Sequence, residues 1–333
     1  MTAGHFTRAL GLLDSTAMVV GSMIGSGIFI VSAETARNLG SPGWLLVSWA
    51  LAGVLTVCGA LCYGELASMY PHAGGQYVFL RQAYGRLAAF LYGWTLFAVI
   101  QCGTIAAVAV AFAKFLGFFV PSVSAANVLL QIGEWKFNTL QMVALLMIAC
   151  LTALNCRGVK TGAFIQTTFT VAKTAALIGL IVLGFCSFGK FSGLQANLAD
   201  FWHAVSVDGQ PLAGTNLLAV LALSMVGPLF SCDAWNNVTF AGDEVKDAEK
   251  TIAKSLALGT MLVCALYLLA NVVYLLLLPL HGTKDGVDIL QRGIQFAAEE
   301  RVGTAAAQVI FGPVGAQIMA VAIMISTFGA TNG

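Results

Sequence analysis

The chain has 333 residues, of which 59% are apolar and only 9% are charged, against roughly 25% in an average soluble domain; this excludes a water-soluble globule. A net charge of +1, without a basic tract, also excludes a nucleic-acid partner. The composition therefore predicts an all-α, polytopic membrane protein whose surroundings are membrane lipid.

Eight apolar stretches are long enough to cross ~30 Å of hydrocarbon as helices, which takes about 20 residues each. They make one transmembrane domain over residues 1–333, and no signal-peptide pattern precedes the first helix. Lys and Arg are slightly denser in the short loops on one side, which predicts a cell-membrane protein with a cytoplasmic N-terminus. The predicted spans cover 11–38, 44–69, 86–113, 139–156, 161–188, 214–242, 252–280 and 313–333.

Eight cysteines fall inside these spans, where they cannot form an extracellular disulfide framework. We interpret them as small apolar packing residues. They are Cys58, Cys62, Cys102, Cys150, Cys156, Cys186, Cys232 and Cys264.

The first span contains the glycine-rich stretch GSMIGSGIF at residues 21–29. Each glycine costs a helix about 1 kcal/mol relative to alanine, so the density of glycines predicts unwinding between Ile24 and Gly27. Backbone without helical hydrogen bonds is tolerated at membrane depth only where it faces protein or a water-filled cavity. The alternative is that Gly21-x-x-x-Gly25 is a small-residue packing face.

The segment 64–85 between the second and third spans contains Pro71 and the pair Gly74-Gly75. These residues predict a turn, and the amphipathic stretch that follows predicts a short interfacial helix. A second polar segment, 281–312, has helix-like spacing at Ile289, Ile294, Phe296 and Ala297. That segment is either a lid over a pocket or a passive surface helix.

Two charged residues lie deep within predicted spans, Lys173 in the fifth and Asp233 in the sixth. Each would cost ~2.5–3.5 kcal/mol or more if it faced lipid, so both should face a polar interior. For Asp233 we expect capping of the outgoing half of helix six, with contact to a substrate ammonium as the alternative. Lys173 is either a structural cation that replaces a metal ion or a proton carrier.

The sixth span is interrupted at Gly227-Pro228, where a backbone donor is lost, and then by Ser231, Cys232 and Asp233. Broken first and sixth helices are what a five-plus-five inverted repeat requires around a midplane site. This pair of breaks indicates a transporter.

The ends of broken helices can bind both poles of a zwitterion. N–H groups near Gly25, Ser26 and Gly27 present roughly half a positive charge to a carboxylate. Orphan carbonyls at Ile24 and at the end of the first half of helix six, from Phe230 and Ser231, can accept from an ammonium.

Several longer matches, in the same order along the chain, resemble the amino acid–polyamine–organocation superfamily, in its branch of L-type amino acid transporters and bacterial serine/threonine exchangers. The resemblance covers the whole chain. The matching stretches are GSMIGSGIF (21–29), GELASMYPHAGGQYVFL (64–80), YGWTLFAVIQCGTIAAVAVAFAKF (92–115), AKTAAL (172–177) and FSCDAWNNVTFAGDEVKDAEKTI (230–252).

This resemblance implies the leucine-transporter fold of twelve helices, so the second inverted repeat is expected to be truncated after about eight transmembrane helices. It implies sodium-independent transport, with Lys173 at the place where sodium binds in sodium-coupled relatives. Matched by position, it implies a carboxylate-binding loop at Ile24, Gly25, Ser26, Gly27 and Ile28, a helix-six loop at Phe230, Ser231, Cys232, Asp233 and Ala234, and weaker pocket-wall candidates at Gln101 and Thr104.

Two residues near the sixth helix, Trp235 and Glu244, are candidates for gating. Glu244 is retained from the family pattern, whereas Ala248 and Thr251 stand where prolines are common in the family. The inner gate is therefore expected to be braced differently.

The predicted function is secondary active transport of neutral L-amino acids by alternating access, through sodium-independent exchange or proton-coupled uptake. A transporter of cationic amino acids or polyamines is one alternative, and an amino-acid-gated channel or sensor is another. We do not expect an enzyme, because the four histidines lie in loops or near helix ends and no metal-ligand spacing occurs. No cofactor or metal is expected, and nothing in the sequence requires an accessory subunit.

Overall fold

The computed structural model describes Arg8 and residues 10–156, 159–190 and 192–332, without the side chains of 159–167 and Phe188. Arg157, one of the cations behind the predicted orientation, lies outside the described residues. The α-helices, in chain order, are α1 (Leu12–Met23), α2 (Gly27–Leu39), α3 (Pro42–Met69), α4 (Gly75–Tyr84), α5 (Arg86–Thr95), α6 (Cys102–Leu116), α7 (Thr139–Asn155), α8 (Val159–Cys186), α9 (Ser192–Ala199), α10 (Gly214–Ser224), α11 (Val226–Ser231), α12 (Ala248–Leu277), α13 (Ile289–Arg292), α14 (Val302–Phe311) and α15 (Pro313–Asn332).

Shorter elements complete the described chain. A π-helical turn, Leu96–Gln101, joins α5 to α6, so that these three elements form one continuous span. Segments of 3₁₀ helix cover Phe188–Lys190, Trp235–Glu244 and Ala298–Glu300. A hairpin of antiparallel strands β1 (Val128–Ile132) and β2 (Trp135–Asn138) precedes α7.

The helices confirm an all-α, polytopic membrane protein. In the part of the chain that the structure describes, six helical stretches are long and apolar enough to cross a membrane, if Arg86–Leu116 and Gly214–Glu244 each count as one stretch. The bent pair α1 and α2 makes a seventh span that is broken. The predicted span 139–156 is the helix α7, but its 17 residues make it shorter than the others. Large apolar side chains are exposed along the spanning helices, such as Leu87 at 71% and Phe97 at 72%, as expected where lipid is the solvent.

The helix ends follow the local sequence. Pro42 opens α3 and Pro313 opens α15, at the position where a missing N–H costs nothing. Gly40 ends α2 with φ +52°, a left-handed conformation that glycine adopts without strain. Asn138 and Gln141 form a capping box at the start of α7, with both hydrogen bonds at 3.0 Å.

The polar segments were predicted with mixed success. The predicted helix after Gly74-Gly75 is confirmed as α4. The helix-like spacing between residues 289 and 297 was misleading, because only Ile289–Arg292 is α-helical there and Gly293 ends the helix at φ +59°. The hairpin was not predicted; its turn contains Gly133 at φ +60°.

Backbone contacts divide the chain into two compact units. The first comprises Met1–Met23, Gly53–Ile105 and Cys232–Cys264, and the second comprises Ile24–Ala52, Ala106–Ser231 and Ala265–Gly333. In the first unit α4 packs against α5 and against the 3₁₀ helix Trp235–Glu244. In the second unit α2 packs against α10, α11 and α14, and α8 packs against α15.

Candidate functional site

The first broken helix is interrupted where the glycines predicted it. α1 ends at Met23 and α2 begins at Gly27, so that Ile24, Gly25 and Ser26 belong to neither helix. No side chain caps the N-terminus of α2, and the first N–H groups of a helix have no acceptor within it. This end of α2 therefore carries the partial positive charge that favours an anion.

The second break lies between α11 and the 3₁₀ helix Trp235–Glu244, at Cys232, Asp233 and Ala234. Ala234 has φ +69°, in the left-handed region that residues other than glycine rarely adopt. The predicted break is confirmed, but the proline is not where the backbone unwinds. Pro228 is the third residue of α11, in the first turn, where its missing N–H is tolerated.

The missing N–H of Pro228 is compensated by a residue that the sequence did not reveal. In a continuous helix this N–H would bond to the carbonyl of Ser224, four residues earlier. Instead, the hydroxyl of Ser48 on α3, which is fully buried, donates to the Ser224 carbonyl oxygen at 3.4 Å. Ser48 thus satisfies a buried acceptor between α10 and α11.

We expect Ser48→Ala to destabilise the protein by about 1 kcal/mol, because it leaves the Ser224 carbonyl without a donor. Adding Pro228→Ala should recover most of this loss, because alanine supplies the missing N–H. Thermal unfolding in detergent measures both effects. Ser187→Ala, which removes a solvent-exposed hydrogen bond to the Leu183 carbonyl, is the control and should change little. Equal destabilisation by Ser48→Ala with and without Pro228→Ala would contradict this role.

The beginning of α2 and the end of α11 approach each other closely. A Cβ on Gly27 would lie 2.2 Å from the Ser231 hydroxyl oxygen and 3.1 Å from the Ser231 Cα. One turn away, a Cβ on Gly227 would lie 2.6 Å from Val31 Cγ1. Gly27 therefore faces Ser231 while Val31 faces Gly227, which makes the two helices antiparallel here. The N-terminus of α2 meets the C-terminus of α11, so a positive and a negative helix end are adjacent.

Buried polar contacts hold this arrangement from the side of α12. The Tyr274 hydroxyl donates to the Ile28 carbonyl at 3.3 Å. The Ser32 hydroxyl donates to Asn271 Oδ1 at 2.6 Å, and Asn271 donates to the Tyr267 carbonyl at 2.8 Å. The sequence contained one indication of this contact, because Asn271 is a polar residue within an apolar span.

The predicted role of Asp233 needs correction. Asp233 does not cap the following helix: the cap position is Ala234, no side chain bonds there, and Asp233 is exposed. The Asp233 carboxylate belongs to the residue before the cap position, which Ala234 occupies with a left-handed backbone conformation. Cys232 is 1% exposed, so its side chain is directed into the protein, as expected of a small packing residue.

The gating and pocket-wall candidates lie in the first unit. The ring of Trp235 contacts that of Tyr63 edge-to-face, with centroids 5.0 Å apart. Glu244 is exposed, but its carbonyl accepts from the Leu10 N–H at 3.0 Å, which ties the N-terminal segment to this region. Gln101, at the end of the π-helical turn, is exposed, and Thr104 is half-buried.

Lys173 is almost completely buried, with 1% of its surface exposed, on α8. That helix packs against α14 and α15. This burial agrees with the expectation that Lys173 avoids lipid.

An ion-pair cluster in the second unit was not predicted. Glu300 accepts from Arg37 at 2.7 Å and from Lys114 Nζ at 3.1 Å. Arg37 also donates to the Gln295 carbonyl at 2.8 Å. The cluster joins α2, α6 and the segment that precedes α14. Burial opposes ionisation of Glu300, but Lys114 and Arg37 outweigh it and lower the pKa of its carboxyl.

This pKa shift predicts a pH-dependent contribution to stability. A carboxyl with a depressed folded pKa stabilises the protein above its ordinary pKa of ~4.3, and the contribution is lost as pH falls through the folded value. Glu300→Gln should therefore lower the free energy of unfolding by on the order of 1 kcal/mol at neutral pH, with the difference shrinking in acid. Thermal unfolding across pH tests this, with the exposed Glu34→Gln on α2 as control. A difference that grows in acid would contradict it.

Comparisons with known proteins give one matching family model and several relatives. Residues 10–333 match the family model described as amino acid permease. The chain is 27% identical over 326 residues to the serine/threonine exchanger SteT of Bacillus subtilis. This alignment covers 98% of this chain and 65% of that protein. It is 28% identical over 333 residues to large neutral amino acids transporter small subunit 2 of Mus musculus, covering 98% of this chain and 56% of that protein. It is also 28% identical over 269 residues to the b(0,+)-type amino acid transporter 1 of Mus musculus, covering 80% and 51% respectively. The chain thus spans about half to two-thirds of the length of these relatives.

Proposed function

The chain belongs to the amino acid permease family, and on that basis we propose that it carries neutral L-amino acids across the cell membrane by alternating access. The substrate is held as a zwitterion at the adjoining backbone ends of α2 and α11. Its carboxylate accepts from the N–H groups at Gly25, Ser26 and Gly27, and its ammonium donates to the carbonyls of Phe230 and Ser231.

The observation that carries this proposal is the contact of Gly27 with Ser231. Because neither residue leaves room for a further atom between them, the N-terminus of α2 and the C-terminus of α11 are close neighbours. The opposite partial charges of these two helix ends complement an α-amino acid, whose ammonium and carboxylate groups are bonded to the same carbon. A polyamine has no carboxylate for α2, so an amino acid fits these two helix ends better than a polyamine does.

Exchange is the transport mode that we favour. A serine/threonine exchanger and two amino acid transporters are among the relatives. Lys173 is a buried lysine on α8, and we propose that its ammonium group takes the place of a coupling cation. The N-terminus is placed in the cytoplasm in this proposal, and the single chain transports without an accessory subunit.

Counterflow in proteoliposomes that contain this protein alone tests the proposal. Vesicles preloaded with unlabelled serine, threonine, leucine or lysine are diluted into labelled neutral amino acid, and uptake is measured with and without sodium. We expect saturable uptake that is stimulated by internal neutral amino acids and unaffected by sodium. Unsaturable flux or current would indicate a channel, and binding without uptake would indicate a sensor.

A further inference from the structure

The hairpin of β1 and β2 presents four apolar side chains on one side. Leu130 pairs with Phe137, and Ile132 pairs with Trp135. Directly opposed residues project from the same side of a sheet, and so do residues two apart along a strand. The rings of Trp135 and Phe137 accordingly stack, with centroids 6.0 Å apart. We call these four residues the apolar face of the hairpin.

The opposite face of the hairpin is polar. Gln131 pairs with Lys136 between the two apolar pairs, so both side chains project from the other side of the sheet. On the apolar face, Ile132 is 63% exposed and Trp135 is 57% exposed. A hairpin of two strands is at best marginally stable in water unless a further layer packs against its apolar side. The apolar face is therefore expected to pack against something outside this fold.

The base of the hairpin is fixed at the start of α7. Asn138, the last residue of β2, caps this helix. The Thr139 hydroxyl donates to the Ser122 carbonyl oxygen at 2.7 Å, and the Thr139 N–H donates to the Asn127 carbonyl oxygen at 3.0 Å. These bonds hold the loop that follows α6 against the first turn of α7. The hairpin therefore begins at the point where the α7 span begins.

The length of α7 places this point at the level of the lipid headgroups. Its 17 residues extend about 25 Å as a helix, whereas the hydrocarbon is ~30 Å thick. A span that is too short is accommodated by local thinning of the bilayer and by flanking residues at the interface. Leu145 and Leu146 on α7 are exposed, as expected of side chains that face lipid. The hairpin is thus continuous with a surface that lipid covers.

From this placement we propose that the apolar face of the hairpin binds the interface of the lipid bilayer, with Trp135 as its anchor. Tryptophan is enriched at this depth because its ring is apolar while its indole N–H can donate to water or to a headgroup. Gln131 and Lys136, which are exposed on the opposite face, stay in water. This binding does not depend on what the protein transports.

A second protein chain is the other cover that such a surface could have. The edges of the hairpin are poorly suited to pairing with a further strand, because the register shifts between Val128 and Leu130. The strands are also short, with five and four residues. Bulges and short strands are features by which edge strands avoid pairing with other chains. A lipid interface requires only the apolar face and no free strand edge.

Trp135 fluorescence in proteoliposomes of the full chain tests the proposal. The signal of this residue is the emission that is lost in Trp135→Phe. Amphipathic segments in the interface insert about 5–10 Å, so bromine on the lipid chains near the headgroups should quench this emission more strongly than bromine at the midplane. Iodide in the water should quench it weakly. Trp49 on α3 is 3% exposed, so the emission that is lost in Trp49→Phe, the control, should respond less to both quenchers.

Two matched variants at neighbouring positions test the assignment of the faces. Ile132→Ser changes the apolar face, and we expect it to weaken the quenching of Trp135 by bromine and to strengthen quenching by iodide. Gln131→Ser changes the polar face and should alter neither. Equal effects of the two variants would overturn the assignment. Trp135 emission that only iodide quenches would overturn the proposal, and emission that neither quencher reaches would do so too, because it would indicate a protein cover.

Discussion

Replacing Gly27 with alanine is expected to raise the dissociation constant of the amino acid by about a hundred-fold. The new Cβ would lie 2.2 Å from Ser231 Oγ and 2.8 Å from Ser231 Cβ, so α2 and α11 must move apart. Displacement of a binding group by about 1 Å costs on the order of a hundred-fold where geometry decides the interaction. A bulkier residue such as valine at Gly27 or Gly25 should abolish binding. Isothermal titration or scintillation proximity with the purified protein measures the effect.

Matched variants separate this local effect from general damage to the helices. Gly179→Ala on α8 is the control, because a Cβ there meets nothing within 4 Å. Ser231→Gly removes both the hydroxyl and the Cβ that the methyl group of Gly27→Ala would contact, and in the double variant it should restore part of the affinity. Unchanged affinity in a folded Gly27→Ala protein would refute the placement of the site.

The second large effect is expected at Lys173. Lys173→Met keeps most of the side-chain volume but removes the charge, and we expect exchange to fall at least about ten-fold, which corresponds to ~1.4 kcal/mol. If Lys173 substitutes for a coupling cation, Lys173→Met should also slow uptake and efflux to different extents, so that the ratio of uptake to efflux changes. Counterflow measured in both directions, each over a range of pH, gives the answer.

The pH profile distinguishes the two interpretations of this lysine. A cation that never titrates leaves the profile of the remaining activity unchanged in Lys173→Met and Lys173→Ala. A proton carrier predicts that the pH dependence disappears in both variants. The exposed Lys284→Met serves as the control for loss of one positive charge. Normal exchange in Lys173→Met would contradict any coupling role.

Hydropathy and glycine density were enough to place the membrane helices and the first break. Helix propensity is a local property of the backbone, so the glycines at 21, 25 and 27 weaken the helix whatever its tertiary contacts are. Proline was a less exact guide to the second break. Pro228 lies within the first turn of α11, and the backbone unwinds only after Ser231. A proline indicates which backbone hydrogen bond is lost, but the tertiary structure decides which group replaces that bond and where the helix unwinds.

The side-chain roles were harder to predict, because they depend on partners that are distant in sequence. Asp233 had the composition of a helix cap, but a positive φ at Ala234 takes the cap position away from it. Glu300 lies in a run of charges whose partners, Arg37 and Lys114, are 263 and 186 residues away. No local pattern contains that information.

By itself, the sequence determined that this protein lies in a membrane, that its first and sixth helices are interrupted, and which backbone groups the interruptions leave without helical partners. These properties follow from transfer free energies and local backbone preferences, which are summed along the chain. Only the tertiary structure decided that Gly27 faces Ser231 and that Ser48 replaces the hydrogen bond lost at Pro228. Such contacts join residues about 180 to 200 positions apart, and their energies arise from packing and hydrogen bonding across helices rather than along them.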